Sequence, residues 1–100
     1  MLRSYKTSKE LDRILKKLQK KDNQLYENLF NKMNEVLNNS DIEHYKNLKH
    51  NLKEYKRVHI GNFVLLFRYD KQNNLVYFTD FDHHDSIYKK LTKSSSGAIF

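Results

Sequence analysis

Cysteine is absent from this 100-residue chain, and glycine occurs only at Gly61 and Gly97. Without cysteine there is neither a disulfide framework nor a zinc-thiolate site, which fits a reducing compartment. Two isolated glycines do not make a glycine-rich phosphate loop, so no nucleotide cofactor is expected. Long apolar runs are missing as well. The N-terminal MLRSYKTSKELDR has no apolar signal-peptide core, and no stretch is long enough to span a bilayer. These absences predict a soluble cytoplasmic protein with no membrane partner. Repeats and linkers are also lacking, so residues 1–100 read as one domain able to bury roughly two-thirds of its unfolded surface. Its polar tail, 92–100, is expected to be flexible, although Ala98-Ile99-Phe100 could dock.

Positive charge is abundant. Nineteen Lys and Arg against twelve Asp and Glu leave a formal +7, a balance that favours polyanions such as nucleic acid or an acidic protein. The alternative is that a Lys- and Asn-rich composition reflects only the base composition of the gene.

The elements can be read in order. Leu2 to Lys6 alternates like a short strand. Thr7-Ser8-Lys9-Glu10 reads as a capping box with the Thr hydroxyl as cap. Leu11, Ile14, Leu15 and Leu18 then recur at helical spacing over residues 8 to 20, with Lys16, Lys17, Lys20 and Lys21 outside the stripe. Asp22-Asn23 caps a second helix, whose stripe is Leu25, Leu29, Met33, Val36 and Leu37 with Tyr26 and Phe30 beside it, ending at Asn38-Asn39-Ser40. So short a connection predicts a helical hairpin whose shared apolar side covers a sheet. Residues 41 to 53 read as a loop or short helical piece anchored by Ile42, Tyr45, Leu48 and Leu52.

Gly61-Asn62 is a two-residue hairpin signal between KRVHI and FVLLFRYD. The register follows from the turn. Ile60 faces Phe63, Val58 faces Leu65 and Lys56 faces Phe67, all on one mostly apolar face, leaving Tyr55, Arg57 and His59 opposite Arg68, Leu66 and Val64 on a polar, cationic one. After a polar turn at residues 71 to 74, Leu75 to Thr79 forms the last strand, bounded by Asp80. The expected fold class is α+β: an N-terminal strand and a helical hairpin packed on a small antiparallel-rich sheet of three to four strands.

Asp80, Asp82, His83, His84 and Asp85 crowd six residues, but neighbours along a strand rarely converge on one ion, so no metal is expected. A histidine pair is the better candidate, because imidazole can take or give a proton at cellular pH. A three-stranded meander would carry His59 and the His83-His84 pair to the same end of the sheet.

The order of a short strand, a helical hairpin, KRVHIGNFVLLFRYD and a final HHDSIY resembles the RelE/ParE superfamily of toxins from type II toxin-antitoxin pairs, over about residues 2 to 90. The resemblance is closest to the histidine-using messenger RNA endonucleases. The superfamily's hairpin reads like Y-R-I-R-V-G-D-Y-R-L-I-Y and its end like H-R-x-D-V-Y-R, or with I for V. These patterns lay Arg57 and His59 on two basic strand positions, Gly61-Asn62 on the turn, Phe63 on the aromatic after it, His83-His84 on the His-Arg pair and Tyr88 on the closing aromatic. One departure is Val64, where many ribonuclease members carry an arginine that steadies phosphate charge. Its role would then fall to Arg57, Lys56 or Lys53, or activity would be weaker.

The resemblance implies a RelE-like fold and a ribosome-dependent messenger RNA endonuclease held by a cognate acidic antitoxin. RNA carries its own nucleophile, the 2′-OH, so cleavage needs a base, an acid and cations, without a metal. His84 is the expected general acid and His59 the general base or phosphate ligand. Arg57 and Lys56 would stabilise charge, and Tyr88 would stack on or orient a base. Lys49, Lys53, Lys56, Arg68 and His83 complete the expected RNA-contacting set. Two alternatives stay open: a ParE-like DNA gyrase inhibitor of the same fold, and a non-catalytic basic RNA-binding module.

Overall fold

A computed structural model describes residues 3–48, 54–87 and 89. Strand β1 (Ser4–Thr7) leads into helices α1 (Lys9–Lys21) and α2 (Asn23–Asn38). A 3-10 turn at Ile42–His44 follows, then strands β2 (Lys56–Ile60), β3 (Phe63–Asp70) and β4 (Leu75–His83). The sheet runs β1-β4-β3-β2, antiparallel except that β1 lies parallel to β4. This is the expected α+β architecture with a four-stranded, mixed sheet. Among the described residues no helix is long and apolar enough to cross a membrane. The tail 92–100 and Leu52 lie outside the described residues.

The helices start and stop for local reasons. The first cap is Ser8, one residue later than expected: its hydroxyl accepts from the Leu11 N–H at 3.0 Å, while Thr7 donates instead to Asp12. The Asp22 carboxylate accepts from the Leu25 N–H at 3.2 Å and opens α2 directly after α1. Arg3 donates to the carbonyls of Leu37 and Asn39, using two of the acceptors that a helix end leaves without a partner.

Leu11, Leu29, Met33, Val36, Leu37 and Ile42 pack on Leu65, Phe67, Val76, Phe78 and Phe81 to form the main core. Leu25 packs against it from its edge, whereas Phe30 stays exposed with its ring tilted 51° to that of Tyr26 at 5.4 Å. The hairpin register agrees residue for residue with the turn-derived one, from Ile60 opposite Phe63 to Lys56 opposite Phe67. Gly61 supplies the left-handed position of that turn, at φ +60°.

Two expectations about the sheet need correction. The outer face of the sheet is not simply polar. Val64 and Leu66 are buried there beneath Leu48 and Ile87, with Tyr55 against them, as a second small core. Leu48 comes from a segment that pairs along the free edge of β2: the Leu48 N–H donates to the Tyr55 carbonyl at 2.9 Å and the Arg57 N–H to the Lys46 carbonyl at 3.0 Å. Ile87 comes from a helical turn at residues 84 to 87.

The second correction concerns β4, which runs through Asp80 to His83 instead of ending at Thr79. Phe67 pairs with Phe78 but Leu66 with Asp80, so Thr79 is an extra residue in β4, a β-bulge. Apolar spacing along β4 changes from two (Val76, Phe78) to three (Phe78, Phe81), and the period-2 pattern breaks at the bulge. The Ser8 hydroxyl donates to the Thr79 carbonyl at 2.6 Å, so the residue that caps α1 also clamps the bulge.

Candidate active site

The bulge decides which β4 side chains face which way. Beyond it Phe81 enters the main core, Asp80 and Asp82 sit opposite Leu66 and Val64 on the outer face, and His83 pairs with Phe63 on the helix side. Had β4 kept a regular ladder through Thr79, each of these would face the other way. The outer face therefore carries three rows, read from the Gly61-Asn62 end: His59, Val64 and Asp82; then Arg57, Leu66 and Asp80; then Tyr55, Arg68 and Tyr77.

At the hairpin end the chain leaves β4 and turns helical. The His84 N–H donates to the Asn62 carbonyl at 2.9 Å, which pins the start of that turn to the tip of the hairpin. The imidazoles of His59 and His84 consequently stack, with centroids 5.6 Å apart and planes 20° from parallel. His84 Nδ1 also lies 3.5 Å from an Asp85 carboxylate oxygen. These two histidines line a surface cleft of about 490 Å³ together with Gly61, Asn62, His83 and Asp85.

The other expected site residues divide. Arg57 lies one row from His59, about 7 Å along the strand, on the same face. His83 is exposed and reaches the cleft, but its ring stacks on Phe63 at 4.1 Å on the helix side. Arg68 stands at the far end of the outer face. Lys56 faces the core and is only 8% exposed. Its ammonium is held by the carbonyls of Glu43 (3.3 Å) and Tyr45 (3.1 Å) and the side-chain oxygen of Asn47 (2.9 Å). An ammonium has three donors, and all three are matched by these oxygens, so the structure uses Lys56 as a staple between β2 and residues 43 to 47. Tyr88, Lys49 and Lys53 lie outside the described residues. Val64, at the position expected from the resemblance to hold an arginine in many ribonuclease members, is fully buried under Leu48 and Ile87. That position is occupied by packing here.

Sequence reasoning missed Asn62 as the residue whose carbonyl places His84, because it read Gly61-Asn62 only as a turn. The turn-derived register did set Tyr55 opposite Arg68, but Tyr77, which pairs with Arg68 from β4, was missed. Among the described residues no three His, Asp or Glu side chains are grouped to hold an ion.

Residues 4–88 match the family described as the ParE toxin of type II toxin-antitoxin systems. The Methanocaldococcus jannaschii protein RelE4 is 52% identical over 81 residues, covering 80% of this chain and 84% of its own. Among solved structures, the Mycobacterium tuberculosis toxin-antitoxin complex RelBE2 contains a chain that superposes with a TM-score of 0.69 at 19% identity, over 84% of this chain and 100% of that one. Escherichia coli YafQ superposes with a TM-score of 0.67 at 18% identity, over 86% and 98%. At such identities the likeness to the solved structures is one of fold. The match over residues 4–88, together with the RelE4 relative, shows that the chain belongs to the ParE toxin family of type II toxin-antitoxin systems, within the RelE/ParE superfamily.

Proposed function

We propose that this toxin is an endoribonuclease that cuts messenger RNA on the ribosome, with His59 and His84 as its proton-transfer pair. The observation that carries this reading is the stacking of two imidazoles 5.6 Å apart in a cleft at the open end of the sheet. One imidazole takes the proton of the substrate 2′-OH. The 2′ oxygen attacks phosphorus, the bond to the 5′ oxygen breaks, and the other imidazole protonates that leaving oxygen, giving a 2′,3′-cyclic phosphate and a 5′-OH. His84 is assigned as acid and His59 as base. Arg57, on the same face, would stabilise the charge that grows on the phosphate, and Tyr88 would orient a base. No metal is needed when the nucleophile belongs to the substrate.

A cognate antitoxin follows from the family and from RelBE2, a toxin-antitoxin complex. The formal +7 favours an acidic one. A purified translation system tests the activity: the expected result is cut message ending in a 2′,3′-cyclic phosphate, resistant to chelation of transition metals and blocked by a 2′-deoxy sugar at the cut. Intact message would overturn the proposal.

The family description favours a second reading, because it names ParE, and the gyrase-poisoning branch shares the fold. Inhibition of DNA supercoiling by the toxin, with message left intact, would select that reading.

A further inference from the structure

The outer face carries a second cleft, far from the histidines. In the last of its three rows the Arg68 guanidinium carbon lies 5.8 Å from the Tyr55 ring centroid and 5.7 Å from that of Tyr77. The register explains this, because Tyr77 pairs with Arg68 across the β3-β4 ladder and Tyr55 precedes β2 on the other side. The three planar groups thus form a row across the sheet. Arg68 is 45% exposed at its side chain, and its ion pair to Glu54, at 3.7 Å, is long. Beside the row is a cleft of about 300 Å³ lined by Glu54, Arg68, Tyr69, Asp70, Leu75 and Tyr77.

This chemistry suits a particular ligand. Two aromatic rings and a guanidinium are stacking surfaces for a nucleobase. A phosphate is disfavoured, because Glu54 and Asp70 both line the cleft and Asn73 hydrogen bonds hold the Asp70 carboxyl below its usual range and therefore anionic. Carboxylates instead accept from exocyclic amines, which adenine, cytosine and guanine have and uracil lacks. Arg68 lies four residues along β3 from Val64, the partner of His59, or about 13 Å at ~3.3 Å per residue. The Leu48 and Ile87 cluster lies between the two ends. A few nucleotides of single strand cover that distance.

We infer that Tyr55, Arg68 and Tyr77 form a base-stacking subsite that holds one unpaired, amine-bearing base of an RNA strand a few nucleotides from the bond being cut. The inference rests on the ribonuclease reading for its substrate, but its test is binding, not cleavage. Uncleavable 2′-O-methyl octamers of adenylate and uridylate are titrated into the toxin by fluorescence anisotropy. The parent should prefer adenylate, and Tyr77→Leu should lower adenylate affinity by roughly ten-fold or more and remove the preference, whereas Tyr77→Phe keeps both. An adenylate octamer carrying photoreactive 8-azidoadenine should cross-link the unmutated toxin at Tyr55 or Tyr77, which decides the matter even if Tyr77→Leu fails to fold. No preference for adenylate, or cross-links at neither tyrosine, would overturn the subsite. Unchanged adenylate binding by folded Tyr77→Leu, as expected if the row served a protein partner, would do so too. A toxin that cuts message but fails these tests loses only the subsite; one that passes them but cuts nothing loses only the ribonuclease reading.

Discussion

His59 and His84 are separated by 25 positions in sequence and by one ring stack in space. Replacing either by Gln removes the transferable proton while keeping a similar size. In the translation assay, His84→Gln and His59→Gln should each lose on the order of 10²- to 10⁴-fold in cleavage rate, with unfolding shifted by no more than about 0.5 kcal/mol, as for surface changes generally. His44→Gln is the control, since His44 is exposed on the 3-10 turn and near only Asp41 among the ion pairs described. A His84→Gln toxin that cuts as fast as the parent would make the stack ornamental. Lys56 calls for the opposite pattern. Lys56→Met leaves three oxygens without their shared donor and should cost about 1–3 kcal/mol of stability by urea unfolding, with RNA affinity preserved in the folded fraction. If stability held and RNA binding fell, Lys56 would belong to the binding surface after all.

Ser8 connects two elements with one hydroxyl. It accepts from the first turn of α1 and donates to the Thr79 carbonyl in the β4 bulge, and that bulge sends Phe81 inward and Asp82 outward. Ser8→Ala should therefore destabilise by about 1–2 kcal/mol in thermal unfolding. The same change at Thr7, whose exposed hydroxyl reaches only Asp12 among the hydrogen bonds described, should cost much less. Equal losses would show that the clamp on the bulge contributes nothing. The capping box was read with Thr7 as its cap because Thr7-x-x-Glu10 has the right spacing; Ser8 took the role because its position also reaches β4, which no local pattern encodes.

For the whole molecule, charge sets affinity. A +7 chain that contacts about four phosphates should lose on the order of 50-fold in RNA affinity between about 50 and about 200 mM salt, as released counterions require. A flat titration would show that the basic surface is not the one that meets RNA. What the sequence by itself determined is whatever depends on neighbours along the chain. Helical spacing placed α1 and α2, the two-residue turn at Gly61-Asn62 set every β2-β3 pairing, and the stripes of Leu11 and Leu29 met the sheet where expected. The meander also implied that His59 and His84 share one end, because strand order follows chain order there. Tertiary structure alone decided the rest. The extra residue at Thr79 reversed the facing of every side chain after it, since strand side chains alternate and a shift by one inverts the pattern. Lys56, on the apolar face by parity, was kept there by backbone oxygens contributed by residues 43 to 45, far from it along the chain. Val64 and Leu66 were buried because Leu48 and Ile87 fold over them from two separate segments. Periodicity reports which face a residue is on; whether that face meets solvent depends on what else folds against it.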